Sequence, residues 1–300
     1  MHLLVFIVAY PLLWLISILP FRMFYLFSDV VFFFVYFLIG YRKKVVRTNL
    51  ELAFPDAYLK TLRAIEKKFY RHLCDVFLEM IKSMHISEAA IKRRFVVKNP
   101  DVIQKYEAEH RSIILMCGHY ASWEWMMSLA YHIKHKGFAI YMPIMNRYFD
   151  ALVKKIRMRH KGFLISRYKA KQTLIKHKEE GLLAIYGFAS DQSPRPGKAY
   201  YWRPFMGVNV PVFTGAEMLA KRLDYVVVFC EIEKVRRGYY EAVFKVLAED
   251  PKAFSDYQIT DKFTVLLEQQ IKNKPEHYLW THRRWKHRDK MPEHYKKVLH

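Results

Sequence analysis

The sequence predicts an α/β fold: a mixed, mostly parallel sheet flanked by helices, preceded by an N-terminal membrane-anchoring helical segment. Three observations predict it. Residues 3 to 21, LLVFIVAYPLLWLISILPF, carry no charge. After Pro100, short β-like runs alternate with helical stretches, the pattern of a sheet covered by helices. Finally, 52% of the 300 residues are hydrophobic, enough for one large domain with a sizeable core.

At about 1.5 Å per residue the first apolar run nearly matches a hydrocarbon core of about 30 Å. No lysine or arginine precedes it and no small-x-small cleavage site follows, so it reads as a retained anchor rather than a signal peptide. A second run, VVFFFVYFLIGY (30 to 41), is too short to span alone and would form a hairpin with the first or lie along the interface. Pro11 and Pro20 fit either geometry. RKKVVR (42 to 47) follows at once, and basic residues beside a membrane segment favour the cytoplasmic side and anionic headgroups. The net charge of +22 points to an anionic partner: nucleic acid, an acidic carrier protein or a lipid surface. Charge alone does not choose among them.

From 62 to 84 the apolar positions 62, 65, 69, 73, 76, 77, 80, 81 and 84 keep helical spacing and predict a long amphipathic helix. Strands are expected at 112 to 117, 138 to 143, 162 to 166, 182 to 188, 225 to 232 and 239 to 247. Helices are expected at 122 to 133, 147 to 160, 169 to 179, 214 to 223 and 256 to 273. DQSPRPGKAYYWRPFMGVNVP (191 to 211), rich in proline and glycine, reads as an unusually long and therefore functional loop. Cys74, Cys117 and Cys230 are too dispersed for a disulfide framework or a zinc site, and Cys117 reads as a small apolar residue ending a buried strand. No His-Glu-x2-His set supports a zinc hydrolase, so no metal or other cofactor is expected.

His119 and Glu124 in CGHYASWEW are the candidate catalytic pair. Their spacing is uninformative by itself: 14 histidines and 28 acids in 300 residues give about one such match by chance. On one continuous helix they would also point about 140° apart. The context supplies a break, with a strand ending at Cys117, Gly118 permitting a tight turn and Ser122 as N-cap of a helix whose first turn holds Glu124. His119 would then stand at the C-terminal end of a strand, where ligands of open α/β sheets bind. An imidazole oriented by a carboxylate can take a proton from a hydroxyl near neutral pH, and no Gly-x-Ser-x-Gly elbow offers a serine nucleophile. Direct attack by an acceptor hydroxyl in acyl transfer is the simplest chemistry.

GHYASWEW resembles the His-x4-Glu block of the late acyltransferases of lipid A biosynthesis (lauroyl/myristoyl acyltransferase type), within the glycerolipid and lysophospholipid acyltransferase superfamily. YRKKVVRTNLELAFPD (41 to 56), MPIMNRYFDALVKKIRMRHKG (142 to 162), SDQSPRPG (190 to 197) and EHYLWTHRRWKHR (276 to 288) resemble further blocks of that family in the same order. The resemblance implies a glycerolipid-acyltransferase-like fold, with an anchor over residues 1–41 and an acyltransferase domain over 42–300. It implies His119 as general base, Glu124 as its orienter, and Arg157, Arg159, Asp191, Gln192 and Asn146 as substrate-binding residues. Acyl carrier protein would be the donor, though coenzyme A is also anionic, and an anionic membrane lipid would be the acceptor, at the bacterial inner membrane with the catalytic domain in the cytoplasm. Two departures bear on the acceptor: the family often has Arg where this chain has Met142, and a second acid where it has Ser193. A lysophospholipid or aminoacyl lipid is the alternative acceptor. An arginine fork such as Arg157 or Arg159 suits a phosphate or a developing oxyanion. The tail THRRWKHR (281 to 288) has the look of a nucleic-acid patch, and a membrane-tethered nucleic-acid-binding or scaffold protein is the rival from another class. Beside an anchor the tail reads instead as contact with lipid phosphates or an acidic carrier, with no nucleic-acid partner.

Overall fold

The computed structural model describes residues 2–296. Six helices precede or flank the first strands: α1 (His2–Ile18), α2 (Phe21–Phe33), α3 (Lys43–Ala53), α4 (Leu59–Lys82), α5 (Glu88–Arg94) and α6 (Asp101–Ala108). Four more, α7 (Arg147–Met158), α8 (Ala170–Glu179), α9 (Gly215–Leu223) and α10 (Gln258–Asn273), alternate with the later strands. The strands are β1 (Phe95–Val97), β2 (Ile113–Cys117), β3 (Lys136–Tyr141), β4 (Phe163–Ser166), β5 (Ala184–Ala189), β6 (Trp202–Phe205), β7 (Val208–Pro211), β8 (Val226–Arg236) and β9 (Tyr239–Ala248).

Seven strands form one sheet in the order β1-β9-β8-β2-β5-β3-β4. Every neighbouring pair is parallel except the β8–β9 hairpin, so the predicted mixed, mostly parallel sheet is present. β2 lies at its centre with all five residues, IILMC, buried on both faces, the unbroken apolar run expected of a parallel strand covered by helices. Each such side chain contributes about 1.5–3 kcal/mol by leaving water.

The N-terminal runs differ from expectation in where they break. α1 stops at Ile18, and Pro20, extended at φ −55°, ψ 144°, starts a new helix at Phe21. That helix continues through a π-turn (Phe34–Ile39) to Gly40, whose left-handed φ of +63° ends it. Among the described residues, the helix long and apolar enough to cross a membrane, by length and composition, is therefore Phe21–Ile39 rather than the first run. Along α4 the buried face includes Leu62, Phe69, Leu73, Val76 and Ile81, as its periodicity predicts. The long loop contains the β6–β7 hairpin, joined antiparallel through Met206 and Gly207, both at positive φ.

Candidate active site

Parallel pairing of β2 with β5 puts Cys117 opposite Ala189. His119 and Asp191 each lie two residues beyond that pair, at the C-terminal edge of neighbouring strands, the usual ligand-binding edge of such sheets. His119 Nδ1 is 2.7 Å from Asp191 Oδ1. Asp191 is buried, as is the neighbouring Tyr278. A carboxylate can only accept, so Nδ1 carries the proton and Nε2 is left as the basic nitrogen. The Gln192 amide lies 3.4 Å from Nε2.

The electrostatics of the pair are coupled. Burial works against the charged imidazolium, but the charge and hydrogen bond of Asp191, with a smaller contribution from Glu124, outweigh it and raise the His119 pKa above its usual value. Burial likewise works against the Asp191 carboxylate, and His119 reverses the balance to hold it below the ordinary range.

Glu124 is not the hydrogen-bond partner of His119. It accepts from Arg157 Nε at 2.9 Å and Nη2 at 2.6 Å, a bidentate pair, and from the neighbouring Trp123 indole at 3.2 Å. The physical reason is a tertiary bond. The expected helix from 122 does not form: Ser122 turns its hydroxyl towards buried Glu79 (3.4 Å) instead of capping, and the chain winds only as a 3-10 segment, Trp125–Tyr131. Arg157 comes from the last turn of α7 and is set beside Glu124 rather than standing on a solvated helix face. Arg159 is exposed at the C-cap of that helix. Asn146 is its N-cap, its side chain accepting from the Tyr148 and Phe149 amides. His119, Glu124, Arg157 and Gln192 share the wall of one cavity, with Asp191 behind the imidazole; Arg159 and Asn146 do not reach that wall.

The cavity measures about 550 Å³ and is mostly apolar. Its floor follows from strand alternation: Gly137 and Ala139 of β3, Gly187 and Ala189 of β5 and Cys117 of β2 are small residues at every second position. Ala139 pairs with Gly187, so two neighbouring strands are low at that level. Met126, Met127, Leu129, Phe213 and Leu219 close it from other sides. Buried Cys117 has its thiol pushed well above the usual range by desolvation, which keeps it protonated and inert.

The C-terminal segment, expected as a patch for lipid phosphates or a carrier, also braces this site. An antiparallel bridge joins Tyr120 to Tyr278, the Leu279 amide donates to the His119 carbonyl (3.1 Å), and the Ala121 amide donates to the His277 carbonyl (2.9 Å). These bonds hold Ala121 at φ +49°, a left-handed conformation that alanine rarely adopts. Trp280, Arg284 and Trp285 are buried; Arg284 Nη1 donates to Ser193 Oγ (2.9 Å) and to the Pro211 carbonyl (3.1 Å). Ser193, where related sequences were expected to carry a second acid, thus meets a buried guanidinium with a neutral oxygen. Arg283, Lys286 and Arg288 remain exposed. From the other side, Arg42 donates to the Thr281 carbonyl and Asn49 to those of Trp280 and His282, tying the segment after the apolar helix to the tail.

Gly118 serves close approach rather than a left-handed turn. Its φ is not positive, and a Cβ there would stand 2.5 Å from a methyl of Leu267, itself fully buried in α10. Gly118→Ala should therefore lower stability by about 1–3 kcal/mol, measurable as a lower midpoint in thermal or denaturant unfolding.

Comparison with known proteins decides the family. The family model for bacterial lipid A biosynthesis acyltransferase matches residues 2–287. The chain belongs to that family. It is accordingly an O-acyltransferase. Among curated relatives, the chain is 23% identical over 250 residues to the lipid A biosynthesis palmitoleoyltransferase of Escherichia coli (strain K12), covering 82% of this chain and 79% of the relative. It is 25% identical over 248 residues to the lipid A biosynthesis lauroyltransferase of the same strain, covering 82% and 80%. The lipid A biosynthesis acyltransferase of Shigella flexneri matches at 23% over 250 residues. For this acyltransferase, then, an apolar cavity beside a basic imidazole has a ready meaning.

Proposed function

We propose that this acyltransferase moves a fatty acyl chain from acyl carrier protein to a hydroxyl of a lipid A precursor at the cytoplasmic face of the inner membrane, with His119 as general base oriented by Asp191. The observation that carries the mechanism is the 2.7 Å contact of His119 Nδ1 with Asp191, which leaves Nε2 unprotonated at the wall of an apolar cavity, with the Gln192 amide beside it.

In this scheme Nε2 takes the proton of the acceptor hydroxyl as its oxygen attacks the thioester carbonyl. The tetrahedral oxyanion is met by the Gln192 amide and by Arg157, whose pairing with Glu124 fixes its fork beside the site. Collapse breaks the C–S bond, and the imidazolium returns its proton to the leaving thiolate. Asp191 stays ionised throughout and stabilises the transient imidazolium. The acyl chain lies in the cavity, and the net charge of +22 favours an anionic donor and acceptor alike.

The test presents purified enzyme and a lipid A precursor with a matched pair of acyl thioesters, on carrier protein and on coenzyme A, and weighs the product by mass spectrometry. Product gaining one acyl mass from the carrier thioester at the higher kcat/KM supports the reading. Preference for coenzyme A corrects the donor, and acylation of a lysophospholipid in place of the lipid A precursor corrects the acceptor. The cavity floor gives a sharper expectation. A Cβ at Gly187 makes only ordinary contacts, the nearest 3.6 Å from the Phe138 carbonyl oxygen, so Gly187→Leu should fold and fill the cavity. It should lower kcat/KM for the longest accepted chain about tenfold relative to shorter ones, read from competing acyl donors.

A further inference from the structure

The apolar helix Phe21–Ile39 is 19 residues long, about 28 Å at 1.5 Å per residue, yet one side of it is built into the folded body. Phe24, Ser28 and Phe32, one turn apart, are buried against that body. Ser28 Oγ donates to Asp75 of α4 (2.8 Å) and the Tyr25 hydroxyl to Glu79 (2.8 Å). At mid-helix, Asp29 receives both Nη atoms of Arg237 from the β8–β9 turn, at 2.9 and 3.0 Å, and Arg71 at 3.3 Å. Arg237 in turn holds Asp75 at 2.7 Å. A bilayer surrounding this helix would have to admit Arg71, Asp75 and Arg237 near its midplane, or the helix would have to leave them unpaired; both carry a cost of several kcal/mol.

The opposite side is apolar and open. Leu26, Val30, Phe33, Phe37 and Leu38 of this helix are exposed, and so are Leu4, Val8, Leu12 and Leu15 of α1. α1 packs on α4 and α7, and buried Lys82 of α4 fixes the break between the two apolar helices, its ammonium donating to the carbonyls of Ser17 (2.8 Å) and Leu19 (2.5 Å). The surface continues to the cavity. Phe6 of α1 packs on Tyr148 and Phe149, with ring centroids 5.8 and 5.4 Å away, and the loop just before them exposes Met142, Ile144 and Met145, the last 94% exposed. Met142 also lines the cavity. Cations rim the surface: Lys43 over Tyr36, Lys67 over Phe37, Arg71 over Phe32 and Arg147 over Tyr148. An apolar face with a cationic rim matches the acyl interior and anionic headgroups of a single leaflet.

We propose that α1, the Phe21–Ile39 helix and the 142–145 loop form one monotopic membrane face that enters a single leaflet without crossing the bilayer, opening the cavity sideways to lipid. The membrane placement stands on these surfaces alone; the lateral entry of lipid rests on the acyl-transfer reading above. Asp29 and Arg237 are the clamp that keeps the helix in the plane, and the methionine loop is the lip over which an acceptor passes into the cavity.

Cysteines at the two ends of the helix test it directly, Arg22→Cys and Lys44→Cys, in the full chain, since the three native cysteines are buried. A membrane-impermeant maleimide is applied to right-side-out and inverted vesicles, with detergent-opened vesicles giving the full labelling level. Both positions labelled from the same vesicle face is the expected result. Labelling from opposite faces, or of position 22 from neither, overturns the monotopic placement, whether one helix or a hairpin spans. Met145→Asp tests the lip separately: activity on acceptor embedded in anionic vesicles should fall about tenfold while activity on detergent-dispersed acceptor stays within about twofold. Equal rates in both would remove the loop from the membrane face, and loss in both would place Met145 in the chemistry instead.

Discussion

His119→Ala should lower acyl transfer about 10³- to 10⁴-fold, the upper range for loss of a general base, while leaving the fold intact. The imidazole is half-buried at the cavity wall, and the backbone contacts that fix this turn, the His119 carbonyl to Leu279 and the Ala121 amide to His277, do not involve the ring. Steady-state rates on the carrier thioester check the first part, and a cooperative unfolding transition, lowered by about 1–3 kcal/mol because buried Asp191 loses a partner, checks the second. A variant that retains a tenth of the activity would remove His119 from the proton transfer.

Asp191→Asn should cost about 10²- to 10⁴-fold and change the pH profile in a defined direction. Asparagine can present its amide to Nδ1, which favours the tautomer with the proton on Nε2 and blocks the base. The sign of the pH effect follows from the wild-type balance: burial lowers the His119 pKa, and Asp191 more than restores it. A base works neutral, so wild-type kcat/KM should rise with pH through an apparent pKa above 6.5, and that acid limb should move to lower pH in the variant. Glu124→Gln is the contrast. It weakens the hold on Arg157 but leaves the His119–Asp191 bond, so a loss of about tenfold with a small shift of the limb is expected. The reverse ranking of the two variants would make Glu124 the orienter.

The sheet was largely legible because six strands are runs of apolar and β-branched residues punctuated by helical spacing, and period is what folding reads there too. β1 was missed at three residues, too short to show a period. The β6–β7 hairpin was hidden by Pro204, Pro211 and Gly207, which mimic a loop but are tolerated in a two-stranded pair. Local signals failed where tertiary bonds outbid them: Ser122 looks like an N-cap, but buried Glu79 claims its hydroxyl. His119 stood out in sequence by its place after a strand. Its contact with Asp191, 72 residues away, depends on the β2–β5 register, which no local spacing encodes. The cavity had a signal that went unread, small residues at alternate positions of strands that become neighbours. The tail could not be judged from charge, because THRRWKHR interleaves the exposed cations Arg283, Lys286 and Arg288 with buried Arg284 and Trp285.

The central claim is that His119, held by Asp191, is the base that acylates a lipid A precursor. Its most direct test is the lipid A mass profile of cells lacking this protein, complemented by the wild type, His119→Ala or Asp191→Asn at equal expression. The account predicts that lipid A loses the mass of one acyl chain, that the wild type restores it, and that neither variant does. Unchanged lipid A in the deletion strain, or full restoration by His119→Ala, would contradict it.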